Sequence, residues 1–196
     1  MEIVEFYMKR NLQPNNQWKI DFNKEIFNWD FIRCTYFHEA CISKSVDMVK
    51  LFLKYADELN IDLNAGTPNA HDYDQVGETV LMVVESKEVL EVLLNDDRIN
   101  ANERNASLQT ALIDIFCSNK SYEMGFIQTI LQSPKVDLTL SDYSGYTALH
   151  YACADKDPEM VEAYLKEAIK RDIDVNVRSH NGHTAASLAF VRCSCK

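Results

Sequence analysis

Proline and glycine are scarce in this chain of 196 residues, which contains only four prolines and five glycines. Flexible linkers are rich in Gly, Ser or Pro, so this scarcity argues against long linkers. The chain also lacks an apolar run close to the roughly 18 residues that a membrane-spanning helix needs. Its N-terminus is acidic and lacks the basic and then apolar layout of a secretory signal. We therefore expect no membrane contact and an intracellular location, in the cytoplasm or the nucleus.

An excess of basic charge is missing as well, because the formal net charge is −10. Binding the phosphates of a nucleic acid requires a basic protein surface, so this charge argues against nucleic acid as a partner. It favours a protein partner with a basic surface, although acidic charge also serves simply to keep a chain soluble. The six cysteines show no disulfide framework, and we expect reduced thiols.

Motifs of common enzyme classes are absent. The sequence has no Gly-rich phosphate loop and no G-x-S-x-G nucleophile motif. His38 and Glu39 begin like the zinc-protease motif H-E-x-x-H, but Ile42 stands where the second histidine must be. We therefore expect no enzyme activity and no cofactor.

A four-residue phrase recurs at residues 20–23, 61–64, 99–102, 136–139 and 173–176. It begins with Ile or Val, continues with Asp or Asn, and ends with Asn in every copy except the one that ends at Thr139. Successive copies are about 41, 38, 37 and 37 residues apart, a period that indicates a stack of similar supersecondary units. Such stacks usually bind other macromolecules.

Two further phrases run in phase with the first. A T-x-L-H-x-A-C pattern occupies residues 147–153, and residues 35–41 repeat it with Phe in place of Leu. Weaker copies begin at Thr79, Thr110 and Thr184. A pattern close to E-x-V-x-x-L-L follows at residues 47–53, 88–94 and 159–165.

Together, these three phrases resemble the ankyrin repeat over nearly the whole chain. The resemblance implies an all-α, ankyrin-type solenoid of stacked helix–turn–helix units with hairpin or finger loops. Thr35 and Thr147 are then expected to cap the first helix of their units. His38 and His150 are expected to be structural, bridging to the backbone of the adjacent turn.

The phrases divide the chain into a single repeat domain. We place an N-terminal half repeat and cap at residues 1–29, and repeats 1 to 4 at residues 30–73, 74–104, 105–141 and 142–178, with a C-terminal half repeat at 179–196. In repeat 2 only residues 85–87 separate Val84 from the second helix, which predicts a shortened turn between its two helices. Repeat 3 has Leu108 in place of the usual Gly, which predicts a less regular hairpin.

The N-terminal region is unusually aromatic for the end of a repeat stack. Its aromatic residues are Phe6, Tyr7, Trp18, Phe22, Phe27 and Trp29. The apolar face of a terminal repeat must be covered, so we expect these residues to fold back as a cap, or the chain to be a segment of a longer array.

Ankyrin-like stacks usually bind partners on a concave face made of hairpin tips and inner helices. Transferring those positions marks Tyr143, Ser144, Tyr146, Ala154, Asp155, His180, Asn181, His183, Gln75, Val76, Glu78 and Gln109. Tyr143 and Tyr146 are the preferred anchors, because Tyr offers a large contact area at low entropic cost. The alternative is that one or both pack against the neighbouring hairpin.

One arrangement of metal-ligand residue types occurs near the C-terminus, where His180, His183, Cys193 and Cys195 form H-x-x-H followed by C-x-C. Zinc needs four converging ligands, and C-x-C is not the common C-x-x-C knuckle. The two histidines also occupy hairpin positions of the repeat. We therefore predict no metal site.

The resulting functional prediction is a non-catalytic protein-binding module that acts as a scaffold, adaptor or inhibitor, most simply as a monomer. A second interpretation is a regulatory ankyrin segment of a larger enzyme or channel. A third is a small-molecule pocket between hairpins that uses Tyr146 and His183.

Overall fold

The computed structural model describes residues 2–16, 19–27, 33–67, 77–118, 120–155 and 158–193. The chain divides into an N-terminal body, Met1–Asn100, and a C-terminal body, Ala101–Lys196. The described residues of both bodies are mostly helical with few strands, which fits an all-α repeat fold.

The N-terminal body combines helices with one small sheet. Its described elements are α1 (Glu2–Asn11), β1 (Glu25–Phe27), β2 (Arg33–Thr35), α2 (Tyr36–Ile42), α3 (Val46–Leu59) and α4 (Lys87–Asn95). The two strands pair antiparallel, with Glu25 opposite Thr35. The sequence phrases did not predict this sheet, although the predicted start of repeat 1 at residue 30 lies between its strands. Helix α3 contacts α1, α2 and α4.

Side-chain caps begin the two helices of repeat 1. The Thr35 hydroxyl accepts a hydrogen bond from the backbone N–H of His38 at 3.4 Å, as predicted. The Ser45 hydroxyl likewise accepts from the N–H of Met48 at 3.3 Å. Each cap satisfies a backbone donor that has no partner within its own helix. Asn60 caps the C-terminus of α3 with a φ of 52°, in the left-handed region that Asn tolerates.

The C-terminal body arranges its helices in two rows. Its described helices are α5 (Ala111–Cys117), α6 (Met124–Gln132), α7 (Ala148–Asp155), α8 (Pro158–Lys170) and α9 (Ala185–Cys193). The first helices of successive repeats form one row, in which α7 contacts both α5 and α9. The second helices form the other row, in which α6 contacts α8. Within this body, each repeat therefore packs on the next.

Repeat 2 departs from the predicted helix pair. Residues 80–83 form turns rather than a first helix, and the chain enters α4 after the cap at Ser86. Val80, Leu81, Met82 and Val84 are nevertheless almost completely buried. The residues missing from repeat 2 thus eliminate its first helix, and do not merely shorten the turn that follows it.

The recurring Asn of the four-residue phrase bridges neighbouring loops. Asn64 donates its side-chain N–H to the carbonyl of Arg98 at 2.8 Å, and its Oδ1 accepts from the backbone N–H of Asn100 at 2.7 Å. Asn23 and Asn102 make the same pair of hydrogen bonds to loops that follow them. The periodic Asn is therefore a connection between loops of adjacent repeats.

The N-terminal aromatic residues behave differently from one another. Phe22 is buried, and its ring centroid lies 5.7 Å from that of Tyr36 and 6.0 Å from that of Phe52. Phe6 and Tyr7 on α1 remain exposed. Trp18, Trp29 and the side chain of Phe27 lie outside the described residues. Of the described members, Phe22 is the one that folds back onto repeat 1.

Candidate functional site

Three hairpin tips in the C-terminal body share one backbone geometry, at residues 105–109, 142–146 and 179–183. In each tip the N–H of the fourth residue donates to the carbonyl of the first, at 2.9, 3.0 and 2.8 Å. The N–H of the first residue donates to the carbonyl of the fifth, at 3.0, 2.9 and 2.8 Å. Two hydrogen bonds thus close every tip.

The first residue of each tip also holds the loop through its side chain. Asp142 Oδ1 accepts from two backbone N–H groups of its tip, at 2.8 and 2.9 Å. Its other carboxylate oxygen accepts from the hydroxyl of Tyr151, whose pKa is raised by burial and by this hydrogen bond. Asn105 and Ser179 accept backbone N–H groups at the equivalent places. Because both oxygens of Asp142 have donors, its carboxylate is a structural part of the tip.

The fourth residue of each tip has a positive φ, which is 58° at Leu108, 78° at Gly145 and 79° at Gly182. Glycine adopts this conformation freely, whereas for other residues it costs roughly 1–2 kcal/mol. Leu108 is 42% exposed, so core packing does not offset that strain. The prediction of a less regular hairpin in repeat 3 was wrong, because Leu108 preserves the hydrogen bonds of the glycine tips.

Backbone hydrogen bonds join successive tips into a row. The N–H of Tyr143 donates to the carbonyl of Ser107, and the N–H of His180 donates to the carbonyl of Ser144, both at 3.1 Å. The approach is so close that a Cβ on Gly145 would lie 2.9 Å from the backbone nitrogen of His180. Gly145 is therefore required by spacing as well as by its φ.

The two histidines of the T-x-L-H pattern tie each first helix to the next hairpin. His150 Nδ1 accepts from the backbone N–H of Thr147 at 3.2 Å, which leaves the ring proton on Nε2. His150 Nε2 then donates to the carbonyl of His183 at 3.1 Å. His38 Nε2 lies 3.3 Å from the carbonyl of Glu78, and burial lowers the pKa of His38 to about 4. The expectation that these histidines are structural is confirmed.

The two preferred anchor residues differ in their exposure. Tyr143 is 77% exposed at the tip of repeat 4. Tyr146 is half-buried, with its ring centroid 5.3 Å from that of His150 and 5.6 Å from that of Tyr151. Tyr146 therefore packs within its own repeat, while Tyr143 presents its ring to solvent.

The other predicted positions also differ in accessibility. The exposed ones are Ser144, His180, Asn181 and His183, and the half-buried ones are Ala154, Gln109 and Glu78. The row of tips brings Tyr143, Ser144 and His180 together. Asp155 ends α7, but its side chain lies outside the described residues, as do Gln75 and Val76 entirely.

Tyr143 also lines a groove that sequence reasoning missed, which we call the tip groove. Its volume is about 470 Å³, and its other lining residues are Arg104, Leu108, Ser141, Asp142 and His180. Arg104 Nη1 donates to the carbonyl of Ser141 at 3.2 Å, which engages one of the five guanidinium N–H groups. The sequence did offer one signal for this groove, because Leu108 stands where the repeat pattern favours Gly. Nothing in the repeat pattern marked Arg104.

Thiol and metal chemistry receive little support from the described residues. Burial raises the pKa of Cys41 to about 12 and that of Cys34 to about 11, so both thiols are protonated and weakly nucleophilic at neutral pH. No three His, Cys, Asp or Glu side chains of the described residues are placed to hold a metal ion. Cys195 and the side chain of Cys193 lie outside those residues.

A family model for ankyrin repeats, with three copies, matches residues 81–179, just over half of the chain. The chain belongs to the ankyrin repeat family. Ankyrin repeats are generally protein–protein interaction modules and are typically non-catalytic. The match includes the first two ankyrin tips and ends at the start of the third.

No curated protein matches the chain. Within the described part, every helix is too short or too polar to span a bilayer.

Proposed function

We propose that this ankyrin repeat protein is a non-catalytic binding module, acting as a scaffold, adaptor or inhibitor. Its protein partner binds across the three hairpin tips and the adjoining first helices of the C-terminal body. The observation that carries the proposal is Tyr143, a residue that is 77% exposed on a tip held by backbone and Asp142 hydrogen bonds. A preorganised tip limits the entropy lost on association.

The residues around Tyr143 suit the polar rim of a protein interface. Ser144, His180, Asn181 and His183 are exposed on the same row of tips and offer hydroxyl, amide and imidazole groups. A large aromatic side chain surrounded by such groups is typical of an interface hot spot. The positions in repeat 2 and those at Ala154, Asp155 and Gln109 remain predictions from the resemblance alone.

The test is capture of partners from a cell extract with the intact chain, followed by affinity measurement with the purified partner. Tyr143→Ala should weaken binding at least about tenfold, as expected for an aromatic hot spot. Tyr7→Ala is the matched control, because Tyr7 is also an exposed tyrosine but lies on α1. Equal affinities of the Tyr143→Ala variant and the unchanged chain would remove the proposal.

A further inference from the structure

The tip groove does not share the acidic excess of the whole chain. The chain carries a formal net charge of −10, whereas the lining of the groove contains the guanidinium of Arg104, the carboxylate of Asp142 and the imidazole of His180. Both carboxylate oxygens of Asp142 are occupied by hydrogen-bond donors of the protein. The groups of this set with donors to offer a ligand are therefore the guanidinium of Arg104 and the imidazole of His180.

A second arginine lies at the neighbouring tip. Arg178 Nη1 donates to the carbonyl of Gly182 at 2.9 Å, and Arg178 is exposed. Glu103, next to Arg104 in sequence, is not among the lining residues of the tip groove. Arg104 in the groove and Arg178 at the neighbouring tip thus both present guanidinium N–H groups, which are donors suited to recognising carboxylates.

The groove also has an apolar wall. Leu108 and Tyr143 both line it and both are exposed, at 42% and 77%. Leu108 occupies a backbone conformation that Gly145 and Gly182 hold at the other two tips. A strained backbone conformation at an exposed apolar residue is a feature of functional sites.

From these observations we infer that the tip groove binds a partner segment in which an acidic side chain adjoins a large apolar one. The apolar side chain packs between Leu108 and Tyr143, and the carboxylate accepts hydrogen bonds from Arg104 and His180. This inference rests on the proposed function and specifies its partner. For this surface it replaces the basic partner that the net charge of the chain favours.

The experiment uses three fluorescein-labelled peptide pools and the full chain. Each peptide has two positions mixed among Leu, Ile, Phe and Met, followed by a fixed pair of residues, between Gly-Ser flanks. The fixed pair is Glu-Glu, Gln-Gln or Lys-Lys. Fluorescence anisotropy should show the Glu pool binding about tenfold more tightly than the Lys pool at low salt, with the preference shrinking at high salt.

Variants test whether the preference for the Glu pool arises at the tip groove. Arg104→Gln should lower the affinity for the Glu pool to that for the Gln pool, while affinity for the Gln pool itself stays unchanged. Leu108→Gly should weaken binding of both pools, although glycine suits this backbone better. Lys166→Gln is the matched control, because it removes the same charge from an exposed residue of α8. It should leave all three affinities unchanged.

The inference is overturned if the Lys pool binds as tightly as the Glu pool, if Arg104→Gln retains the Glu preference, or if no pool binds. Thermal melting of each variant separates lost binding from lost folding. The proposed function is judged independently, by the effect of Tyr143→Ala on a captured protein. A basic partner sensitive to Tyr143 would therefore refute the inference while supporting the protein-binding role.

Discussion

Gly145 and Gly182 occupy equivalent tip positions, with φ values of 78° and 79°, but their surroundings differ. A Cβ on Gly145 would lie 2.9 Å from both the backbone nitrogen and the ring Cδ2 of His180. A Cβ on Gly182 would meet no described atom within 4 Å. The pair therefore separates the cost of backbone strain from the cost of a steric clash.

Alanine substitutions should reveal that difference. Gly182→Ala should lower the free energy of unfolding by about 1 kcal/mol, because the left-handed conformation is unfavourable for alanine. Gly145→Ala should cost about 1–3 kcal/mol more, because the tip of the next repeat must also move. Urea denaturation of the two variants measures both losses. Equal losses would show that the close approach to His180 does not matter.

Protonation of His38 should couple stability to pH. Burial lowers its pKa from 6.5 to about 4 in the folded chain, so the unfolded chain takes up the proton first as pH falls. This contribution to stability is complete above pH 6.5, declines between pH 6.5 and about 4, and is lost below that range. The loss should reach roughly 3 kcal/mol.

The measurement is urea denaturation from pH 7.5 to 3.5 for the unchanged chain and for His38→Gln. The variant keeps a side-chain N–H donor but cannot take up the proton. The difference in free energy of unfolding between the two proteins should therefore shrink as pH falls below 6.5. A difference that is constant across this range would contradict the role assigned to His38.

At the scale of elements, repeat 2 shows why a correct motif need not produce a helix. Thr79 and Ser86 are both positioned like helix caps, but only residues 80–85 lie between them. A first helix and a connecting turn do not fit in that length, since nucleating a helix fixes several residues before it gains hydrogen bonds. The apolar residues are buried in a turn instead. The spacing of the phrases showed that repeat 2 lacks residues, but only the packed structure showed that the first helix is the element that is lost.

The Asn bridges should contribute to stability between neighbouring loops. Asn64→Ala removes both side-chain hydrogen bonds, to Arg98 and to Asn100, and should lower the free energy of unfolding by about 1–2 kcal/mol. Asn176→Ala is the control, because Asn176 ends the last copy of the phrase and its described contact is through the backbone N–H alone. That variant should change stability by less than about 0.5 kcal/mol. Similar losses in both variants would show that the bridges add nothing.

At the scale of the whole molecule, a repeat array gains stability mainly from contacts between neighbours. In the C-terminal body, α9 contacts α7, and its residue Ala185 is buried. Perturbing α9 should therefore act first on α7 and its repeat. Elements that belong to other repeats should respond less.

A chain that ends after Thr184 tests this locality, because it keeps the third tip and removes α9. The C-terminal body should lose on the order of 2 kcal/mol of stability through lost apolar burial. Hydrogen exchange should accelerate in α7, while the amides of α2 and α3 keep their protection. Uniform acceleration along the chain would indicate a single cooperative core instead of neighbour-by-neighbour stability.

The amino-acid sequence by itself determined the repeat architecture, the cap at Thr35 and the structural role of His38 and His150. These features depend on residue types at short, periodic spacings, so each copy of a phrase specifies its own local structure. The sequence could not predict that Tyr143 is exposed and Tyr146 packed, because the repeat pattern places both tyrosines at surface positions of the same tip.

Only the tertiary structure decided that Arg104, Leu108 and His180 line one groove, and that Leu108 takes the backbone conformation of a glycine. The physical reason is that these outcomes depend on hydrogen bonds between successive tips, such as that from Tyr143 to Ser107. Those bonds join residues from different repeats, and no single phrase encodes them. The periodic phrases specify the local fold of each repeat, while contacts between repeats determine which side chains share a surface.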